Sequence, residues 1–178
     1  LRVGRVGPVL PAILGLLLTS GLLLGWASHI PEVGVGGDEA TYVSLSYSIQ
    51  SGHYRNDFLQ GEPPHVKYPP GVPLMIAIVR AVAGPNLEFV RALNLVAAML
   101  AALLIGDALR LLRLPWVGIG ATATIALNPT LLSTAGTLLS EASFGCALAI
   151  TLWAALRADL TESNRWRVVA AVAALGSF

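Results

Sequence analysis

Charge is scarce in this chain: only 12% of its 178 residues are Asp, Glu, Lys or Arg, about half the roughly 25% usual in soluble domains. That scarcity excludes a disordered chain and an ordinary water-soluble domain. The formal net charge is +1, too small for the basic field that draws nucleic acid, so no nucleic-acid partner is expected. Cysteine occurs once, as Cys146 inside an apolar block, which excludes a disulfide framework and a thiolate metal cluster. Lysine also occurs once, at Lys67. No Walker loop, Rossmann fingerprint, HExxH helix or Ser/His/Asp arrangement is present. Internal repeats and low-complexity tracts are lacking too.

What the chain has in abundance is apolar residues, 55% of the total, with a mean hydropathy of +0.71. They arrive in blocks long enough to cross about 30 Å of hydrocarbon. The expected fold class is therefore an all-α polytopic membrane protein, a single transmembrane domain over 1–178. Its spans are expected at about 6–30, 87–112, 116–132 and 138–156, with an incomplete one at 168–178. The last block is still apolar where the sequence stops, so the chain reads as part of a longer protein. The first block is too long for a cleaved signal peptide, and more spans follow.

Arginine sets the expected orientation. With the N-terminus in the cytoplasm, the inner loops hold Arg2, Arg5, Arg110, Arg113, Arg157, Arg165 and Arg167. The outer side then holds Arg55, Lys67, Arg80 and Arg91 over a much longer stretch, with Glu32, Asp38, Glu39, Asp57, Glu62, Glu88 and Glu141. The expected localisation is an inner or plasma membrane, with the chemistry on the extracytoplasmic face.

The outer loop, about 31–86, carries all four tyrosines and many of the prolines. Asp38 is placed to cap a helix starting at Glu39, with Tyr42, Leu45, Ser46 and Ile49 on one face and Gly52 as its stop. The run Lys67-Tyr68-Pro69-Pro70-Gly71-Val72-Pro73 reads as rigid and extended. Pro73 opens a short apolar helix from Leu74 to Val82, too short to span, that Gly84-Pro85 ends.

Two readings of each charged candidate stand at this point. Asp38 is a general base with Glu39 beside it, or an N-cap followed by a first-turn acid that complements the helix dipole. Lys67 binds a phosphate as a point charge, or snorkels to headgroups. Glu141, at the start of an uncharged span, is a functional acid by default, with capping by Ser140 as the competing role. Arg80 and Arg91 are candidates for an anionic lipid phosphate, or interfacial anchors. Tyr42 and Tyr68, with His65, are candidates to line a sugar site; an aromatic belt competes. His29, His53 and His65 offer donors for a divalent metal, but their spacings match no metal motif, so no cofactor is required.

In combination these features resemble the GT-C membrane glycosyltransferases, in the branch of the protein O-mannosyltransferases and the lipid A aminoarabinose transferases. The resemblance rests on a first span, then Gly37-Asp38-Glu39-Ala40-Thr41-Tyr42, then Lys67-Tyr68-Pro69-Pro70-Gly71-Val72-Pro73-Leu74. Asn128-Pro129 and Leu138-Leu139-Ser140-Glu141 follow. It implies a GT-C-like helical bundle whose N-terminal part this chain supplies. It also implies transfer of a sugar, with inversion, from a polyprenyl-phosphate donor to an acceptor that the sequence leaves unnamed. Asp38 would be the base, Glu39 its neighbour, Lys67 the basic residue near the donor phosphate and Glu141 the acid of the second outer loop. One departure matters: the family often has Lys directly before Pro-Pro, whereas Tyr68 intervenes here. A transporter or channel subunit using the outer carboxylates, and a membrane scaffold without chemistry, are the alternatives.

Overall fold

Proline, glycine and the ends of the apolar blocks decide where the helices stop. The computed structural model describes residues 9–28, 38–55, 60–61, 63–138 and 140–175. Over these residues the chain forms eight helices: α1 Val9–Ser28, α2 Glu39–Gln50, α3 Gly71–Ala83, α4 Glu88–Leu111, α5 Pro115–Ala126, α6 Pro129–Ala135, α7 Glu141–Thr161 and α8 Asn164–Leu175. One isolated antiparallel bridge, Arg55 to Pro64, is the sole β pairing among the described residues. The expectations placed on Arg2, Arg5, His29, Glu32, Gly37, Asp57, Glu62 and Leu139 lie outside the described residues.

Three helices, Leu10–Ser28 within α1, α4 and α7, are long and apolar enough to cross a membrane. The stretch expected to be one span over 116–132 is instead two helices, α5 and α6. The cause is local. Pro129 has no amide hydrogen to continue α5, and Asn128 takes the N-cap position of α6, its side chain accepting from the Leu131 N–H at 3.1 Å. Twelve residues of α5 rise only about 18 Å, short of a full crossing. The block expected at 138–156 begins at Glu141 and runs on to Thr161, where Glu162 turns left-handed at φ 51°. Likewise α8 starts at Asn164 rather than 168. The short loop helix α3 begins at Gly71, with Pro73 in its first turn, and Gly84 ends it at φ 84°.

Helix α4 is the hub and packs against α1, α3, α5, α6 and α7. Its two ends carry ion pairs, Glu88 with Arg91 and Asp107 with Arg110. From Arg91 to Asp107 the helix rises about 24 Å without a charge, close to the thickness of a hydrocarbon core. Around it lie three apolar clusters: Tyr42, Ile76, Val90 and Leu138 beneath α2 and α3, Met99, Ala102, Ala126 and Leu132, and Ala101, Cys146 and Ala149 against α7. The backbones of α4 and α5 touch, because a Cβ at Gly106 would overlap Thr122 Oγ1 and one at Gly118 would lie 2.5 Å from the Gly106 carbonyl oxygen. Small residues that admit such contact are how helices associate without a hydrophobic driving force.

Candidate functional site

The site is built on α2, α3 and the proline-rich run before α3, at the Glu88 end of α4. That run is bent rather than extended as expected, because Pro70 is already helical at φ −72°, ψ −7° and Gly71–Pro73 belong to α3. Asp38 occupies the N-cap position of α2, yet its side chain makes no capping bond. Its Oδ1 instead accepts the phenolic hydrogen of Tyr68, thirty residues on. Tyr68 can reach back because Pro69 and Pro70 hold the run in place just before α3 begins.

Tyr68 is the centre of an aromatic group. Its ring meets Tyr42 edge-on at 5.1 Å and stacks on His65 at 5.4 Å, and His65 in turn meets Tyr54 edge-on at 5.5 Å. The Tyr68 backbone N–H donates to His65 Nε2 at 3.0 Å, and the Tyr54 hydroxyl donates to the Tyr68 carbonyl oxygen at 2.8 Å. Burial, then the nearby Lys67 charge, holds His65 below its ordinary pKa. The imidazole therefore stays neutral near pH 7 and keeps an acceptor at Nε2. Burial first, then Tyr42, pushes the Tyr54 hydroxyl up.

The Lys67 ammonium sits 4.5 Å from the centre of the Tyr68 ring, inside cation–π range. Its pKa is raised first by its hydrogen bond with Tyr68, with the Asp38 carboxylate adding less. Tyr68 is thus the link between Lys67 and Asp38. The sequence holds the carboxylate and the ammonium 29 positions apart; one phenol joins them.

Glu39 points the other way. It is 1% exposed, and its Oε1 accepts from the Leu138 N–H at 2.8 Å. This ties the start of α2 to the turn between α6 and α7. Asn94 of α4 secures the same turn, donating from Nδ2 to the Thr137 carbonyl at 2.9 Å and accepting from Ser143 Oγ at 3.0 Å. Glu141 follows that turn and is exposed in the first turn of α7.

Asp38, Tyr42, His65, Lys67 and Tyr68 are therefore brought together, while the two arginine candidates serve other contacts. Arg80 donates from Nη1 to Ser46 Oγ at 3.1 Å and lies 3.5 Å over the Tyr47 ring. Ser46 lies eight residues past Asp38, about 12 Å of helix rise. Arg91 is 1% exposed and pairs with Glu88 one turn earlier. Among the described residues, no group of three or more His, Cys, Asp or Glu side chains is placed to hold a metal.

Asn94 is the residue that charge-based reading passed over. The signal was available: an amide inside an apolar span needs buried partners, and Thr137 and Ser143 are among those it finds.

No family profile matches the chain, and neither a curated protein nor a solved structure matches it.

Proposed function

We propose that the chain forms the extracytoplasmic catalytic end of a GT-C-type membrane glycosyltransferase that takes its sugar from a polyprenyl phosphate. The observation that carries this reading is the Asp38–Tyr68–Lys67 link, a base and a cation on one phenol beside a helical bundle. A lipid-linked donor reaches such a site by lateral diffusion, so no nucleotide-binding domain is needed. Asp38 removes the proton of an acceptor hydroxyl as that oxygen attacks the anomeric carbon. The bond from that carbon to the phosphate oxygen breaks, polyprenyl phosphate departs, and the single displacement inverts the centre. Lys67 stabilises the negative charge that develops on the leaving phosphate. The aromatic group of Tyr68 and His65 borders the sugar, whereas Tyr42 is 6% exposed and packed in the apolar cluster, so it supports Tyr68 from behind. No metal is demanded because the cation does that work.

A transporter reading draws on the helix break at Asn128–Pro129, since transporters use broken helices near the midplane. The charged ends of α4 argue against it, because ion-carrying side chains belong within a span rather than at its rims. Transfer from a radiolabelled polyprenyl-phosphate sugar by membranes containing the full-length protein tests the proposal. Wild-type activity that survives Asp38→Asn undiminished would overturn it.

A further inference from the structure

We infer that the cavity at the Arg110 end of the bundle holds an acyl chain of an anionic membrane phospholipid, with Arg110 at its headgroup. The cavity, about 410 Å³, lies between α1, α4 and α5 and is lined by Leu14, Leu100, Leu103 and Ile119, with Asp107 and Arg110 among its polar lining. Its size falls within the range of small-molecule sites. The depth is informative. From Leu100 to Arg110, ten residues of α4 rise about 15 Å, half of a roughly 30 Å hydrocarbon core. The cavity thus reaches from mid-bilayer to the surface of one leaflet, which is the length an acyl chain of that leaflet occupies.

The charge at one end fits a phosphate. Asp107 is shared: Arg110 Nε donates to its Oδ1 at 2.8 Å, while Trp153 Nε1 and Arg157 Nη2 donate to its Oδ2 at 2.9 Å and 3.2 Å. Two arginines on one carboxylate leave a net positive charge, and the Arg110 side chain is 54% exposed. Exposed Arg113 lies one turn beyond, in the left-handed conformation that ends the helix. A water-soluble ligand would need convergent polar groups within the cavity, whereas its deep end is leucine. The site is also far from Asp38: Asp107 is nineteen residues, about 28 Å, along α4 from Glu88.

The inference rests on bilayer placement alone, not on sugar transfer. The test reconstitutes the full-length protein in mixed phosphatidylglycerol and phosphatidylcholine nanodiscs. Each contains a trace of one or the other lipid carrying a mid-chain diazirine, and labelled peptides are mapped after illumination. The phosphatidylglycerol probe is expected to label 100–107 and Leu14 more than exposed Leu93 and Val96. Leu103→Trp, which fills the cavity, should reduce that labelling to the level of the exposed positions. Arg110→Gln should keep the labelling and remove the preference over phosphatidylcholine. If Leu103→Trp does not fold, Leu14→Phe fills the cavity from α1 with the same expectation. Uniform labelling that ignores the filling variants, or a cavity that takes no label, overturns the inference. Resistance to alkaline carbonate extraction tests bilayer placement separately, so a membrane-embedded protein with an unlabelled cavity sinks only the lipid site.

Discussion

Tyr68 donates its phenolic hydrogen to Asp38 and thereby occupies the one carboxylate that α2 presents at its N-terminus without using it as a cap. The hydroxyl engages Oδ1 alone; in the proposed reaction the other oxygen takes the acceptor's proton. The ring meanwhile faces Lys67. Carboxylate, phenol and cation are thus in contact through one ring, and the following predictions separate their contributions.

Asp38→Asn preserves the side chain's shape and removes its basicity. In the full-length protein, sugar transfer should fall by about 10²–10⁴-fold, the range that general base catalysis supplies. Membrane insertion and expression level should stay at wild type. Radiolabelled transfer, normalised to protein by immunoblot, is the measurement.

Tyr68→Phe removes the hydrogen bond to Asp38 and keeps the ring for Tyr42 and His65. A hydrogen bond to a charged group contributes about 1.5–3 kcal/mol, so kcat should fall by about 10–150-fold. The donor KM should move little. Steady-state kinetics with donor varied would expose the opposite pattern, a KM effect at constant kcat, which would make Tyr68 a donor-binding residue only.

Lys67→Ala should weaken donor use more than acceptor use, and Lys67→Arg should restore part of the loss by returning the positive charge. Apparent donor affinity from transfer kinetics decides the matter. An unchanged value returns Lys67 to a headgroup anchor.

Glu39→Ala leaves the Leu138 N–H buried without its acceptor, a loss of about 1–3 kcal/mol in stability. Glu39→Gln keeps an oxygen in place and should recover most of it. Thermal unfolding of the detergent-solubilised protein should rank the variants wild type, Gln, Ala. Equal midpoints for Ala and wild type would remove Glu39 from the clamp on the α6–α7 turn.

His65 supplies the pH dependence. Its folded pKa is lowered by burial and by Lys67, so below about 6.5 the unfolded chain binds the proton more readily than the folded one. The stabilisation contributed by neutral His65 is complete above the unfolded value and is lost as pH falls through the folded one. Protonation also removes the acceptor for the Tyr68 N–H. Tyr54, Tyr68 and Lys67 are the neighbouring titratable groups. Exchange of the Tyr68 amide, corrected for its intrinsic pH dependence, should therefore accelerate below pH 6.5. In His65→Ala it should be fast throughout, and an unaltered profile in that variant would exclude the mechanism.

The sequence determined by itself what depends on neighbours along the chain. Apolar run lengths placed α1, α4 and α7, and the Asp38–Gly52 pattern placed α2. Pro73 with Gly84-Pro85 placed α3 to within three residues at its start. Asn128-Pro129 was visible as a motif, and its division of one apolar block into α5 and α6 is equally local, a proline with a three-residue cap, although run length alone read the block as one span. The tertiary structure alone decided which side chains meet. Asp38 takes Tyr68 rather than its own helix N-terminus, Glu39 reaches across 99 residues to Leu138, and Asn94 reaches across 43 to Thr137. Periodicity and charge report what a residue prefers to be surrounded by. A hydrogen bond or ion pair between distant positions forms only when the packed helices bring one specific donor within about 3 Å of one specific acceptor.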